Sequence, residues 1–334
     1  MPPLGTATTR TYARQLGDLP LVGAHLPRHW VTSLAKRSLT PRNSVRSCDV
    51  DGGCGTWRDG GVRQLAVTAD DFGVSGRVNA AVVRAAQEGI LTGTSWMAGG
   101  GAADEALARA HDVPQLALGI HLTFVLGRAV LPPRLVSELA DDDGRFPASP
   151  VRQGVRLAAS RTSRDQLRAE LRAQIERCLA ADHTPRHLDA HLDFHVHPAV
   201  FPIVAALARE YRVPAVRIPR DPLGPALAFD RRHAPRKLVE AAIFAILCRR
   251  AVRIAHDHGL RVADRVYGHH QTGAVDERYV LHVIRDLPAG VSELYCHPGA
   301  YPGATEDDPE LSALLSRDVR GACERGGVEL RHYA

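Results

Sequence analysis

The stretch VRQLAVTADDFG, residues 62–73, begins with a short apolar run, and two adjacent aspartates follow that run. A helical pattern follows over 76–88 and stops at Gly89, a residue type favoured just after a helix. A second apolar run at 90–99 predicts another strand. This order of strand, helix and strand predicts parallel strands joined by helical crossovers.

The same alternation continues to the end of the chain and gives about seven strand–helix units, which predict an α/β fold of the distorted (β/α) barrel type. The stretch from Thr123 to Ser163 is rich in proline and is predicted to be a long loop, which in compact domains is often a functional lid. The predicted strands are 62–69, 90–99, 116–122, 187–191, 215–219, 262–268, 292–296 and 327–332, and the predicted helices are 76–88, 102–112, 164–181, 198–211, 236–258, 275–286 and 308–324.

Composition excludes several classes of protein. The chain has 334 residues, 45% of them apolar and 24% charged, which is typical of a soluble globular protein. Its net charge is +5, but the sequence contains no nucleic-acid-binding motif, so no nucleic-acid partner is predicted. The six cysteines form no CxxC pair and indicate free thiols in a reducing cytoplasm. The longest uncharged apolar stretch, near Ala241–Cys248, is too short for a transmembrane segment.

Residues 1–60 differ from the rest of the chain. Short apolar pieces alternate there with Pro, Gly, Ser and Arg, and no period of a strand or helix persists. The pattern is not that of a signal peptide. It predicts a flexible extension, or sequence upstream of the true start codon, with the catalytic domain over 61–334.

Polar side chains stand at the ends of four predicted strands. They are Asp70 and Asp71 after the first strand, His121 after the third, the histidine-rich stretch 187–197, and His297 after a late strand. In parallel α/β folds, chemistry is located where the carboxyl ends of the strands meet. Four separate clusters at one edge are hard to explain as packing, and they predict an active site.

The adjacent aspartates predict a metal site. Two neighbouring carboxylates repel each other unless a positive charge is near, and a divalent cation supplies it. One aspartate would then bind the metal, and the other would remain free to take a proton from water. The alternative is a solvated turn or the N-cap of the next helix, since Asp is favoured at caps.

The sequence HLDAHLDFHVHP, residues 187–198, is the strongest of the four signals. On a continuous strand, the odd-numbered positions from 187 to 197 would share one face, and all of them are ionisable. Such a face is not ordinary core, and it predicts a metal site. The alternative is an exposed histidine-rich loop.

The other two histidines are weaker signals when each is taken alone. GIHLT, residues 119–123, is as well explained by a buried core histidine as by a ligand. His297 is followed by Pro298 and Gly299, which fix the backbone after it, and a histidine held in this way could act as a general acid.

Together these motifs resemble the YdjC-like family of carbohydrate deacetylases. The resemblance covers 62–334 and rests on ADDFGVSGRVN (69–79), GIHLT, HLDAHLDFHVHP and ELYCHPG (293–299), in that order. It implies a distorted barrel of the polysaccharide-deacetylase type that removes acetyl from N-acetylglucosamine units. It also implies one divalent metal ion, Mg or Zn, with Asp71, His121 and His191 as metal ligands, Asp70 as the base and His297 as the acid.

The chain departs from the family pattern at one point. Many members have consecutive histidines where this chain has His191-Leu192-Asp193. If a second or third histidine contributes in those members, Asp193 or His195 must stand in here. With Glu293, these two residues are predicted to contact the substrate or to support the metal ligands.

A narrower resemblance concerns the substrate. Residues 268–299 and AHLDFHVHP (190–198) resemble HpnK, the branch associated with hopanoid biosynthesis. This implies a lipid-linked, acetylated amino sugar as substrate. Residues 238–254, LVEAAIFAILCRRAVRI, could then meet a lipid tail or the inner membrane face peripherally, although a core helix is the simpler interpretation.

Other functions stay open on sequence alone. They are a chito-oligosaccharide deacetylase, a metal-dependent phosphoesterase that uses Arg217 and Arg220 as phosphate clamps, and a non-catalytic sugar- or lipid-binding protein. A homodimer is also an open alternative.

Overall fold

The computed structural model describes residues 61–300 and 308–332 as an α/β protein built on parallel strands. The extension predicted over 1–60 lies outside the described residues. Every pair of named strands is parallel. The strands are β1 (Arg63–Phe72), β2 (Gly93–Trp96), β3 (Ala117–Leu122), β4 (His187–Ala190), β5 (Ala215–Val216), β6 (Arg265–Tyr267), β7 (Gly290–Cys296) and β8 (Val328–Leu330).

The sheet curls toward a closed ring. Seven strands lie in the order β5-β4-β3-β2-β1-β7-β6, and β8 pairs with the first residues of β1. At the open side, Val216 of β5 donates its N–H to the carbonyl of Arg261 at 3.0 Å, and a parallel bridge joins Ala215 to Arg261. The predicted distorted (β/α) barrel is therefore confirmed.

Helices connect the strands and cover the outside of the sheet. The first begins with the side chain of Ser75 accepting a hydrogen bond from the N–H of Val78, and it ends before Gly89, as predicted. The helices are α1 (Gly76–Glu88), α2 (Ala103–Ala110), α3 (Pro150–Ala159), α4 (Arg161–Ala180), α5 (Phe201–Glu210), α6 (Leu223–Phe229), α7 (Ala234–Asp257), α8 (Glu277–Arg285), α9 (Pro309–Leu315) and α10 (Arg317–Arg325).

Strand β1 is the centre of the core. Nine of its ten residues are buried, because β2 and β7 flank it in the sheet and helices cover it. Such burial on both faces is usual for a parallel sheet. The two aspartates at its carboxyl end are therefore buried as well, so the solvated turn considered for them is wrong.

The predicted loop from Thr123 to Ser163 is more ordered than its sequence suggested. It contains helix α3, the start of α4 and a short 3-10 helix at Pro133–Leu135. Gln174 of α4 accepts the N–H of Thr123 at 3.0 Å and donates to its carbonyl at 2.7 Å. Glu170 accepts two further backbone N–H groups of this stretch. The stretch is thus fastened to α4 rather than forming a long irregular loop.

Three further boundaries differ from the prediction. Strand β1 continues through the two aspartates to Phe72, with an irregularity after Ala69. The last predicted helix is two helices, because Ser316 ends α9 and caps α10. The histidine-rich strand ends at Ala190, so the single ionisable face predicted over 187–197 is wrong.

No helix within residues 61–300 and 308–332 combines the length and the apolar character that crossing a bilayer requires.

Candidate active site

Three side chains predicted as metal ligands come together at the carboxyl edge of the sheet. Asp71 lies at the end of β1, His121 in β3, and His191 just after β4. His121 Nε2 and His191 Nδ1 lie 3.3 and 3.2 Å from Asp71 Oδ1. One candidate ligand atom from each residue lies within 4.8 Å of the others, and all three residues are buried. Two imidazoles and a carboxylate are a usual ligand set for a divalent ion.

The backbone is bent where it presents these ligands. Asp71 has φ of 64°, in the left-handed region that non-glycine residues rarely adopt, and the pairing register of β1 with β2 shifts there. In a regular strand, Asp70 and Asp71 would point to opposite faces. The shift instead brings both carboxylates near His121. Backbone strain of this kind is common at functional sites.

A second left-handed segment follows β4. Residues 191–196 form a tight 3-10 turn in which Leu192 and Asp193 have φ of 60° and 53°. The alternation of side chains therefore stops at Ala190. His191 faces Asp71 and Leu192 is exposed. Asp193 is buried and contacts His269 instead.

Arg217 is the buried cation of the site, and its importance was not predicted. It follows β5 and is fully buried. Its guanidinium donates two hydrogen bonds to Asp70, at 2.6 and 2.8 Å, and two to Glu293, at 2.9 and 2.7 Å. It also lies 3.0 Å from Asp189. Burial lowers the pKa of Arg217, but these carboxylates outweigh burial and hold that pKa well above its usual value.

This geometry corrects the interpretation of Arg217 and Arg220 as phosphate clamps. The guanidinium of Arg217 is fully engaged by three carboxylates of the chain itself. Arg220 donates to the carbonyl of Ala263 at 2.6 Å.

Asp189 orients His121. The Nδ1–H of His121 donates to Asp189 Oδ1 at 2.9 Å, and the hydroxyl of Ser95 lies 3.1 Å from the same nitrogen. The Nε2 atom of His121 is thereby directed at Asp71, as a carboxylate directs a metal-binding histidine. Burial lowers the pKa of His121, but Asp189 and Asp70 outweigh burial and raise that pKa to about 9.

Two overlapping groups could hold an ion here, and their partners distinguish them. Asp70, His121 and Asp189 form the second group. Both of its carboxylates already bind Arg217, and His121 already binds Asp189 through Nδ1. The group containing Asp71 and His191 is the better site, because Nε2 of His191 is buried without a hydrogen bond from any described residue.

The charge of the pocket also fits a divalent cation. The buried carboxylates of Asp70, Asp189 and Glu293 share the guanidinium of Arg217, and Asp71 adds a fourth buried carboxylate beside His121 and His191. Burial raises the pKa of Asp71, but the neighbouring histidines outweigh it and hold that pKa below its usual value. An excess of buried negative charge is costly unless a cation compensates it.

His297 lies near Asp71. It follows β7, and it is one of the neighbours that lower the pKa of Asp71. Its backbone N–H donates to Glu310 Oε2 at 2.5 Å, and the N–H of Gly299 donates to Asp308 Oδ2 at 2.6 Å. Gly299 has φ of +83°, and a Cβ there would lie 2.8 Å from Val78 Cα, so the turn after His297 requires glycine.

The remaining predicted residues support the pocket from outside the ligand group. Asp193 accepts hydrogen bonds from His269 Nδ1 at 2.9 Å and from the hydroxyl of Tyr295 at 3.1 Å. His195 Nε2 donates to the carbonyl of Arg217 at 2.7 Å. Neither Asp193 nor His195 belongs to the group of Asp71, His121 and His191.

Sequence reasoning did not predict the contacts of three residues that the fold makes important, namely Asp189, Arg217 and His269. Asp189 had a usable signal, because period 2 within HLDAH places it on the same face as His191. Arg217 had a weaker one, an arginine inside an apolar strand. Nothing in the sequence connected His269 to Asp193.

The fold and the buried ligand group together define an α/β barrel with a site suited to one divalent ion at the carboxyl ends of its strands. A family model described as YdjC-like protein matches residues 64–325, and the chain belongs to that family.

Relatives of known description are consistent with this membership. A carbohydrate deacetylase of Geobacillus stearothermophilus is 32% identical over 237 residues, which are 71% of this chain and 79% of that protein. A carbohydrate deacetylase of Thermoanaerobacter pseudethanolicus is 28% identical over 265 residues, 79% of this chain and 90% of that protein.

A solved structure shares the fold. It is a protein of Enterococcus faecalis V583 described as a candidate cellobiose-phosphate cleavage protein. The TM-score is 0.65 at 24% identity, and the match covers 81% of this chain and 98% of that one.

Proposed function

We propose that this protein is a metal-dependent N-deacetylase that hydrolyses the acetamide of an N-acetylglucosamine-type sugar to acetate and an amine. The observation that carries the proposal is the convergence of Asp71, His121 and His191 beside Asp70 and His297. Membership of the YdjC-like family and the carbohydrate deacetylases among the relatives support the same activity.

The ligand group would hold one divalent ion. Its one carboxylate and two imidazoles suit Zn, and they also accept Mg, Mn or Co. When bound, such an ion polarises a carbonyl oxygen and makes water more acidic.

Asp70 is assigned as the general base. Oδ1 of Asp70 accepts from Ser95 and Arg217, and Oδ2 accepts from Arg217 alone. An ionised carboxylate has about four acceptor positions, so one on Oδ2 remains for the attacking water. Arg217 fixes the direction of this carboxylate through its two hydrogen bonds.

His297 is assigned as the general acid. It stands near Asp71 on an element opposite the two histidine ligands. The amine would leave as a poor anion without a proton, so His297 donates one to the departing nitrogen. The balance is one water consumed, one C–N bond broken and one acetate released.

His297→Ala tests this role through the leaving group. The variant is expected to lose roughly 10²–10⁴-fold in kcat on an N-acetyl sugar and much less on an O-acetyl sugar, whose leaving group needs less protonation. The measurement is acetate release from both substrates, with His111→Ala, at an exposed histidine, as the control. Equal losses on the two substrates would assign His297 to positioning instead.

We further propose that the natural substrate is lipid-linked, as in the hopanoid branch. Helix α7 carries an exposed apolar surface: Leu238, Val239, Ile243 and Ile246 are 51, 57, 37 and 53% exposed. Arg249, Arg250 and Arg253 follow on the same helix and are exposed. Such a surface suits a lipid tail with anionic headgroups near the arginines. A chito-oligosaccharide, which has no tail, is the alternative substrate.

The substrate choice is testable by kcat/KM. An N-acetylglucosaminyl hopanoid is expected to exceed diacetylchitobiose and free N-acetylglucosamine by more than about tenfold. The reason is that covering about 100 Å² of apolar surface is worth roughly 2.5 kcal/mol. Ile246→Asp should reduce turnover of the lipid substrate only, and Val155→Asp, at an equally exposed site on α3, should not. If chitobiose is turned over as well as the lipid, the chito-oligosaccharide alternative is correct.

A further inference from the structure

A second group of potential metal ligands lies apart from the proposed active site. It consists of Glu240 on α7 and of His269 and His270 in a 3-10 helix that follows β6. One candidate ligand atom from each residue lies within 4.8 Å of the others. The group shares no residue with Asp71, His121 and His191.

The hydrogen bonds of His269 direct one nitrogen into this group. Its Nδ1–H donates to Asp193 at 2.9 Å, so its Nε2 carries the lone pair. A carboxylate that holds one nitrogen of a histidine while the other faces a cation is the usual arrangement around a metal-binding histidine. Asp189 holds His121 in the same way in the proposed active site.

His270 contributes a buried ring nitrogen that has no other described partner. The residue is 93% buried, and Nδ1 has no hydrogen-bond partner among the described residues. Its backbone N–H is held by Asp221 Oδ2 at 2.9 Å, and Oδ1 of Asp221 is buried without a partner in the same part of the chain. A buried polar atom with no partner is costly, and a bound ion removes that cost.

Glu240 completes the group from α7. Its Oε1 accepts from Arg236 at 2.6 Å, which leaves Oε2 for another partner. Within the described residues, no ion pair within 4.0 Å joins Glu240 to His269. The donors therefore converge without bonding to one another. Lys237, on the same helix, donates to the carbonyl of Asp230 at 3.0 Å.

We propose that Glu240, His269 and His270 bind a second divalent cation of the zinc class. Two imidazoles and one carboxylate are a known ligand set for Zn²⁺. In a two-metal catalytic centre the ions lie about 3.5–4 Å apart and act on the same group. The two ligand groups here have no residue in common, so no side chain of either group would bridge the two ions. This ion would join α7 to the 3-10 helix at His269–Gln271, and His269 of that helix hydrogen-bonds Asp193.

Zinc stoichiometry of the full chain tests the second site. The protein is stripped with a chelator, dialysed against Zn²⁺ alone and analysed for bound zinc per chain. His270→Ala and His191→Ala are each expected to bind one zinc fewer than the wild type, and the double variant two fewer. His256→Ala, at a histidine of α7 outside the group, is the control and should bind as many as the wild type.

The design uses differences between variants, so ions bound elsewhere on the chain cancel. Glu240→Gln changes a partly exposed side chain, which keeps the test valid if His270→Ala does not fold. It is expected to weaken the second zinc by at least about tenfold. Unchanged zinc binding in both Glu240→Gln and His270→Ala would overturn the proposal. Loss of both ions in His191→Ala would also overturn it, by showing one shared centre. Neither result requires a change in the proposed deacetylase activity.

Discussion

Asp70→Asn is expected to lower kcat for acetate release by roughly 10²–10⁴-fold while bound metal stays at the wild-type level. The substitution removes the proton-accepting carboxylate and leaves Asp71, His121 and His191 in place. Asp71→Ala is expected to lose activity and metal together, because Asp71 is the only carboxylate of that ligand group. The measurements are acetate release and metal content per chain.

A matched control separates loss of the base from loss of an ion pair. Asp104 is an exposed carboxylate that pairs with Arg177 at 2.5 Å on the outer helices, so Asp104→Asn should change neither quantity. Equal metal content and equal loss of activity in Asp70→Asn and Asp71→Ala would show that the roles of the two aspartates are wrongly assigned.

Arg217→Ala is expected to destabilise the protein by about 3–5 kcal/mol, because it leaves buried carboxylates without their cation. Asp70, Asp189 and Glu293 all bind this guanidinium, and they come from three different strands. Thermal or urea unfolding of the full chain measures the effect. Arg220→Ala is the control, since Arg220 is only partly buried and hydrogen-bonds one carbonyl.

A conservative variant keeps this prediction testable if Arg217→Ala does not fold. Lysine retains the charge but lacks the planar fork that binds two carboxylates at once. Arg217→Lys should therefore lie between the wild type and Arg217→Ala in stability. If Arg217→Ala is as stable as Arg220→Ala, the carboxylates do not depend on this cation.

Much of the ligand group could be predicted from the sequence, because each member stands at the end of a predicted strand. The carboxyl ends of parallel strands meet at one edge, so Asp71, His121 and His191 could be expected to lie close together before any fold was known. His297 followed from the same rule. The convergence follows from the positions of the strands, which hydrophobic patterns indicate well, whereas the roles of these residues came from the family resemblance.

The pairing of Arg217 with three carboxylates could not be predicted in this way. Arg217 follows β5 and Glu293 lies in β7, and these strands are far apart in the sheet, so the two side chains meet only because the sheet curls toward a closed ring. Strand order is a property of the whole sheet, and no local pattern encodes it. The arginine was therefore interpreted as a contact for an external phosphate.

Local backbone geometry also made the strand periodicity a poor guide to side-chain positions at the site. The period of 2 fails after Ala190 because Leu192 and Asp193 adopt left-handed conformations. The loop prediction over 123–163 failed for a different reason, since its helical signal was present. Ser149 caps α3 and Pro150 occupies its first turn, both usual at a helix start.

Acetate release by the metal-free protein tests most directly the claim that the deacetylase activity depends on a divalent ion. The protein is stripped of divalent ions, assayed on an N-acetylglucosamine substrate, and assayed again after Zn²⁺ or Mg²⁺ is restored. The account predicts that stripping abolishes acetate release and that at least one of the two ions restores it. Full activity in the stripped protein, or no acetate from any acetylated amino sugar with either ion present, would contradict it.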